Sequence, residues 1–325
     1  MVYNTADHTI VMCLAGGRFR IRTSCAQTMQ TLENMFSYHS TDDIAEAGFE
    51  HEVCIRHRRV DQDIIDLLDN ANDPWLGRTA IDIPVMAVRD SDKGIALKIG
   101  DEAYSYTDIG RHKTVCYLKP ECSGDASICP QPWVYLLPIL QALLALYGIY
   151  VIHSAAVTYE DKALLLLGES GAGKTTMCLA LARAGMAYMG DDLVGLQRHE
   201  NTIYAHAILL RPKLVIDESG EKCTVDAVAD ERLACMRFAP VGALVHLQRS
   251  VPELKQTARM QRPQMMSQLL SMGNSPVMTN DMKQWFDTVF ELSQQVPGWI
   301  WSPPFPDADN IDAVFGHMRR MMNIA

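Results

Sequence analysis

Three groups of residues near the middle of the chain have the types and spacing for phosphate chemistry. The first lies in Leu164 to Thr176, LLLLGESGAGKTT, where Gly168, Gly173, Lys174 and Thr175 satisfy the spacing G-x-x-x-x-G-K-[ST]. Glycines allow a turn in which successive backbone N–H groups face phosphate oxygens, and the helix that follows adds the positive end of its dipole. In such a loop the lysine reaches the β- and γ-phosphates and the hydroxyl of the next residue ligates Mg²⁺. The candidate nucleotide-binding residues are therefore Gly168, Glu169, Ser170, Gly171, Ala172, Gly173, Lys174, Thr175 and Thr176.

The second group is Asp191-Asp192, at the end of the short apolar run AYM and Gly190. Phosphoryl transfer asks for a metal held on the phosphates and a group to orient or deprotonate the incoming hydroxyl. Two adjacent carboxylates can divide those tasks, because a cation keeps both ionised while one accepts the proton. The same pair could instead simply open and cap a loop. The third group is His153, fifteen residues before Gly168, expected on a strand beside the one that feeds the loop. Taken alone, a histidine there is more often a satisfied buried side chain; as a neighbour of the phosphate loop it is as often a group that orients a phosphate, an acceptor hydroxyl or the acidic pair.

An eight-residue pattern arises by chance, so its surroundings decide. Four leucines before Gly168 read as a buried strand, and TMCLALARA after it as a helix that stops at Gly185. Upstream, Trp133 to Ile152 carries no charge and is long enough for a membrane span, but Pro138 and Gly148 interrupt it. It reads as a buried helix over about 133–147 and a buried strand over about 149–157. Downstream, strands are expected within Asn201–Leu210 and Gly242–Leu247, and helices over Met260–Leu270 and Asp281–Leu292. Arg211 and Arg249 are candidate strand-end cations, although surface arginines are commoner. WSPPFP, with Trp299 before it, reads as an irregular packed segment ahead of a short last helix, and the methionines of 260–282 as core filling.

The first third of the chain has a different pattern. HTIVMCL, a Gly16-Gly17 turn and RFRIRT make a hairpin, and Ser24 with Gln27 resembles a capping box ahead of a helix with Met29, Leu32, Met35 and Phe36 on one face. Strands are expected at Glu52–Arg56, Pro84–Arg89, Ile95–Ile99 and Thr114–Leu118. No catalytic constellation stands out, and His51, His57 and His112 read as surface or structural. Turn-forming CSGDASICPQP at Cys122–Pro132 is the natural boundary. The expected organisation is a small α+β N-terminal domain, residues 1–128, and an α/β phosphate-loop domain, residues 129–325.

Composition narrows the partners. The 325 residues carry a net charge of −10, and the one basic cluster, Arg56 to Arg59, suits a solvated strand end. Neither nucleic acid nor a membrane surface is an expected partner. Nine scattered cysteines, without short paired spacings and without a signal-peptide pattern before them, imply reduced thiols and a cytoplasmic protein. The gaps between Cys116, Cys122 and Cys129 do not fit a zinc site.

The order IHSAAV, apolar strand, GESGAGKTT, helix, MGDDLV resembles the kinase domain of bacterial HPr kinase/phosphorylase and its HPr-kinase-like relatives, over about residues 133–198. The resemblance implies an ATP- and Mg²⁺-dependent kinase acting on a serine hydroxyl of a peptide or small protein. His153 matches the family's active-site histidine, Lys174 and Thr175 its nucleotide and metal residues, and Asp191-Asp192 its acidic pair. On that reading Asp191 is the base, and Asp192 supports it and joins Thr175 at the metal. Two departures stand out: Thr176 occupies a position that is Glu in HPr kinase, and the glycine-rich RGxGxxN signature is missing, with HAILLRPKL in its place. Phosphorylase activity, HPr itself as the substrate and the family's hexamer are thereby left open, as is a homo-oligomer of another kind. The front half looks more like that of HPr-kinase-like proteins from peptide-biosynthesis clusters, among them kinases of lasso-peptide precursors. Two other readings compete: a non-catalytic nucleotide-binding module, and a carboxykinase-like enzyme of small acids.

Overall fold

The computed structural model describes residues 8–36, 39, 48–72, 74–78, 82–119, 133–209, 213–215, 222–224, 233–248, 257–273, 279–303 and 310–323. The protein is a mixed α/β structure with two large sheets. Its chain divides into two compact units, residues 1–147 with 275–282 and residues 148–274 with 283–325. Arg211, Arg249, Cys122, Cys129 and the Cys122–Pro132 stretch lie outside the described residues.

The first unit is built on an eight-stranded sheet in the order β1-β2-β3-β8-β7-β6-β5-β4. Its strands are β1 (His8–Leu14), β2 (Gly17–Thr23), β3 (Phe49–Arg56), β4 (Trp75–Arg78), β5 (Pro84–Asp90), β6 (Gly94–Ile99), β7 (Ala103–Asp108) and β8 (Lys113–Leu118). The expected hairpin forms, but Leu14 pairs with Gly17, so its turn is Ala15-Gly16, with φ of 51° and 77°. Two left-handed residues match the strand twist of a two-residue turn. Helix α1 (Ala26–Phe36) begins at Ala26, one position too late for Ser24 to cap it; Cys25 takes that place, its N–H bonded to the Thr23 hydroxyl. Successive strand residues face opposite sides. Met12, Phe19, Ile21 and Cys116 accordingly meet α1 and helix α3 (Trp133–Leu146), whereas Val88, Ala96 and Tyr117 meet helix α2 (Gln62–Asp69). Among the described residues no helix is long and apolar enough to cross a membrane; α3 has 14 residues.

The second unit has a sheet whose main path runs β12-β10-β11-β17-β14-β13-β9. Its strands are β9 (Ile149–Ile152), β10 (Ala155–Tyr159), β11 (Lys162–Leu167), β12 (Ala187–Gly190), β13 (Val194–His199), β14 (Thr202–Ala207) and β17 (Phe238–Leu247). A separate pair, β15 (Lys213–Val215) and β16 (Lys222–Thr224), stands apart. The strand expected over 149–157 is two strands, because the chain bends at His153-Ser154 and carries β9 to the far end of the sheet from β10. β18 (Ala258–Arg259) and β19 (Gly298–Trp301) add to β17. The irregular segment expected around Trp299 and Trp301 is thus a strand in part, paired parallel with buried Leu244–Leu247. The helices here are α4 (Lys174–Arg183), α5 (Arg262–Ser271), α6 (Thr279–Gln295, which begins among residues grouped with the first unit) and α7 (Ile311–Asn323). Leu164–Leu167 are fully buried. At about 25 cal/mol per Å² of apolar surface, four such leucines are a strong fixed base for whatever follows them.

Candidate functional site

Strand directions decide which residues meet. β10 runs antiparallel to both β11 and β12, so β11 and β12 point the same way. Their C-terminal ends, Gly168 and Gly190-Asp191, therefore share one edge of the sheet. Ala155 pairs with Leu166, which brings His153, two residues earlier, to that same edge. The topology thus collects all three sequence-predicted groups. His153 stands in the bend between β9 and β10, not on a strand beside β11, and its backbone N–H donates to Met272 O at 2.8 Å.

The turn between β11 and α4 is shaped by glycine. Gly168 has φ of 142°, and a Cβ there would lie 2.6 Å from Leu247 O, so any other residue would drive the loop off the end of β17. Gly173, at φ of 92°, caps α4 in the left-handed region, and Lys174 and Thr175 open the helix. Glu169, Ser170, Gly171 and Gly173 are exposed, Ala172, Thr175 and Thr176 half-buried and Lys174 buried. The Lys174 ammonium donates to Gly168 O at 2.8 Å and to Glu169 O at 3.1 Å, so its charge is held inside the turn. A helix N-terminus, an open ring of backbone and a buried cation together favour an anion.

Across the loop, the Thr175 hydroxyl donates to Asp191 Oδ2 at 2.7 Å. Asp191 is only 2% exposed, and its Oδ1 is buried with no hydrogen-bond partner among the described residues. Burial first, and the neighbouring Asp192 charge second, push its carboxyl up to about 6; the Thr175 bond and the Lys174 charge pull the other way without winning. Asp192 is half-buried and sits at φ of 67°, a left-handed conformation that costs a non-glycine residue on the order of 1 kcal/mol or more. Beneath the pair lie the buried Cys178 thiol, which donates to Ala156 O, and the Tyr188 hydroxyl, which has no partner among the described residues. Burial raises both well above their ordinary values, so both stay neutral.

An uncompensated buried carboxylate oxygen next to a hydroxyl is a donor set for a hard cation. Among the described residues no group of three or more His, Cys, Asp or Glu side chains is placed to hold a metal. The Asp191 carboxylate and the Thr175 hydroxyl nevertheless are groups that could join Mg²⁺ where phosphate oxygens and water complete the shell.

His246, near the end of β17, belongs to the same edge and was not singled out by the sequence, which marks GALVHL only as a buried strand. Its place depends on a parallel pairing between segments about eighty residues apart, Leu167 opposite His246, that no local pattern reveals.

No family model matches the chain, and no curated protein matches it. Among solved structures it is similar to the HPr(Ser) kinase/phosphatase from Coxiella burnetii, at 15% identity and a TM-score of 0.34, over 52% of this chain and 88% of that one. A likeness this loose says nothing of individual residues.

Proposed function

We propose that the second unit is an ATP-dependent kinase of the HPr-kinase-like type, which transfers the γ-phosphoryl group to a serine hydroxyl of a peptide or small protein. The observation that carries the reading is the Thr175–Asp191 hydrogen bond, which ties the start of α4 to a buried, half-compensated carboxylate at the end of β12. On this reading Gly168–Thr176 holds the phosphates and Lys174 leaves its carbonyl partners to meet the β- and γ-oxygens. Thr175 and Asp191 would hold Mg²⁺, which when bound offsets the charge on the transferred group.

The hydrogen bond favours a division of roles between the two aspartates opposite to the one the resemblance implies. Asp191 faces Thr175 and is assigned to the metal; Asp192, half-buried beside it, is assigned to accept the proton of the incoming hydroxyl. His153 is assigned to orient the acceptor or the terminal phosphate. The acceptor class follows from the sequence resemblance: an HPr-like protein or a ribosomally made precursor such as that of a lasso peptide. A cytoplasmic location accords with ATP and with reduced cysteines.

The test is incubation of the purified chain with ATP, Mg²⁺ and candidate serine-containing acceptors, read by mass spectrometry. Gain of one phosphoryl mass on serine, absent with Lys174→Ala, is the expected result. Tight nucleotide binding without transfer to any acceptor would point instead to a non-catalytic module.

A further inference from the structure

β17 runs parallel to β11, so its last residues reach the edge that carries the loop and the acidic pair. His246 is fixed there from both sides, opposite Leu167 of β11 and opposite Ile300 of β19. The carbonyl of the next residue, Leu247, packs against Gly168 so closely that a Cβ would not fit. His246 therefore cannot move away from the loop without dismantling the central ladder.

Its ring lies near enough to Lys174 and Glu169 to feel both charges. Burial is the larger influence and lowers its pKa below the ordinary histidine value, which leaves a neutral imidazole with one N–H to donate. Nδ1 is buried and has no hydrogen-bond partner among the described residues. His51 in the first unit pairs both ring nitrogens, while His206, opposite Phe238 at the start of β17, leaves both buried and without a partner among the described residues; His246 differs from both in standing at the end of β17 beside Gly168. A ring with an unpaired nitrogen beside the loop lysine is instead set for an oxygen that arrives with a ligand.

Resting on the reading of the loop as a triphosphate site, we infer that His246 is a phosphate-contacting residue of that site, donating its ring N–H to an oxygen of the terminal phosphate beside Lys174. The contact is a hydrogen bond to an anion, the stronger kind, and it selects triphosphate over diphosphate.

Calorimetric titration of the full chain with Mg²⁺ and either a non-hydrolysable ATP analogue or ADP tests this. His246→Ala should weaken the analogue about 10- to 100-fold while ADP changes by less than about 2-fold, and His246→Gln, which keeps an N–H donor, should recover most of the loss. In the wild-type chain labelled with ¹⁵N-histidine, the His246 imidazole resonances should move on adding the analogue and stay in place with ADP. That measurement needs no variant to fold. Analogue affinity unchanged in His246→Ala, an equal loss for ADP, or unmoved imidazole resonances would each overturn the inference. If the wild-type chain binds no analogue, the triphosphate reading itself fails; if it binds and only Lys174→Ala weakens it, His246 alone is wrongly assigned.

Discussion

Two buried polar clusters, one in each unit, look alike in composition and differ in how completely they are paired. In the first unit the Tyr147 hydroxyl bridges His51 Nδ1 at 2.7 Å and His112 Nδ1 at 3.0 Å, His51 Nε2 meets the Thr114 hydroxyl, and Thr114 meets Thr107. Every bond in that chain is made when His112 donates to Tyr147, Tyr147 to His51, His51 to Thr114 and Thr114 to Thr107. In the second unit Asp191 Oδ1, the Tyr188 hydroxyl and His246 Nδ1 have no partner among the described residues. A completed network fixes a fold, whereas the unpaired polar atoms at the sheet edge that carries Gly168 stand where an arriving ligand would supply partners.

The largest effect that can break this contrast is on turnover. Asp192→Asn should lower kcat about 10²- to 10⁴-fold, the usual contribution of a positioned base, with the Mg²⁺ dependence unchanged. Asp191→Asn should instead raise the Mg²⁺ concentration needed for half-maximal rate. Steady-state kinetics over a Mg²⁺ series reads both, and the reverse pattern would make Asp191 the base, as the resemblance implies.

Next in size is a gain in stability. Asp191 has its carboxyl raised from 3.8 to about 6, so the folded state binds a proton that the unfolded state has already lost between those values. The ionised carboxylate therefore opposes folding above about pH 6, and this penalty fades as pH falls towards 4. Asp191→Asn should raise unfolding free energy by up to about 3 kcal/mol at pH 8 and by nothing near pH 4. Denaturant melts at the two pH values check it. A loss of stability at pH 8 would place Asp191 with the completed networks.

How much of this was legible beforehand follows from what each feature depends on. The loop, α4 and the acidic pair are local: glycine spacing, a leucine run and an alanine-rich helix declare themselves within thirty residues. β7 was missed because Ala103–Asp108 alternates alanine, serine and threonine inward with tyrosines half-buried, leaving no apolar stripe to read. α2 was missed for a related reason, since its apolar face rests on few residues, Ile64 and Leu68, in an acidic octet. The break at His153-Ser154 was hidden by unbroken apolar sequence on both sides, and only the sheet order shows why the chain must bend there. His246 and the pairing of Thr175 with Asp191 rather than Asp192 are products of tertiary geometry alone.

The smallest effects probe the first unit. His51 is buried with its pKa lowered to about 4 by burial and by His112, so the unfolded chain binds its proton first as pH falls below about 6.5. Its contribution to stability is whole above that pH and is lost progressively towards 4. His51→Ala should cost about 1–3 kcal/mol at pH 7.5, because Thr114 and Tyr147 each lose a buried partner, and should flatten the acid side of the stability profile by close to one proton. Tyr147→Phe keeps the ring stacked on Phe49 at 3.6 Å and removes only the hydroxyl. Exposed His112 can turn to water, so the remaining loss falls on His51 Nδ1, about 1 kcal/mol in thermal or urea melts. Neither change should alter phosphoryl transfer or nucleotide affinity. If Tyr147→Phe slowed turnover while leaving the melts unmoved, the first unit's network would be a working site, and full pairing would no longer distinguish the two clusters.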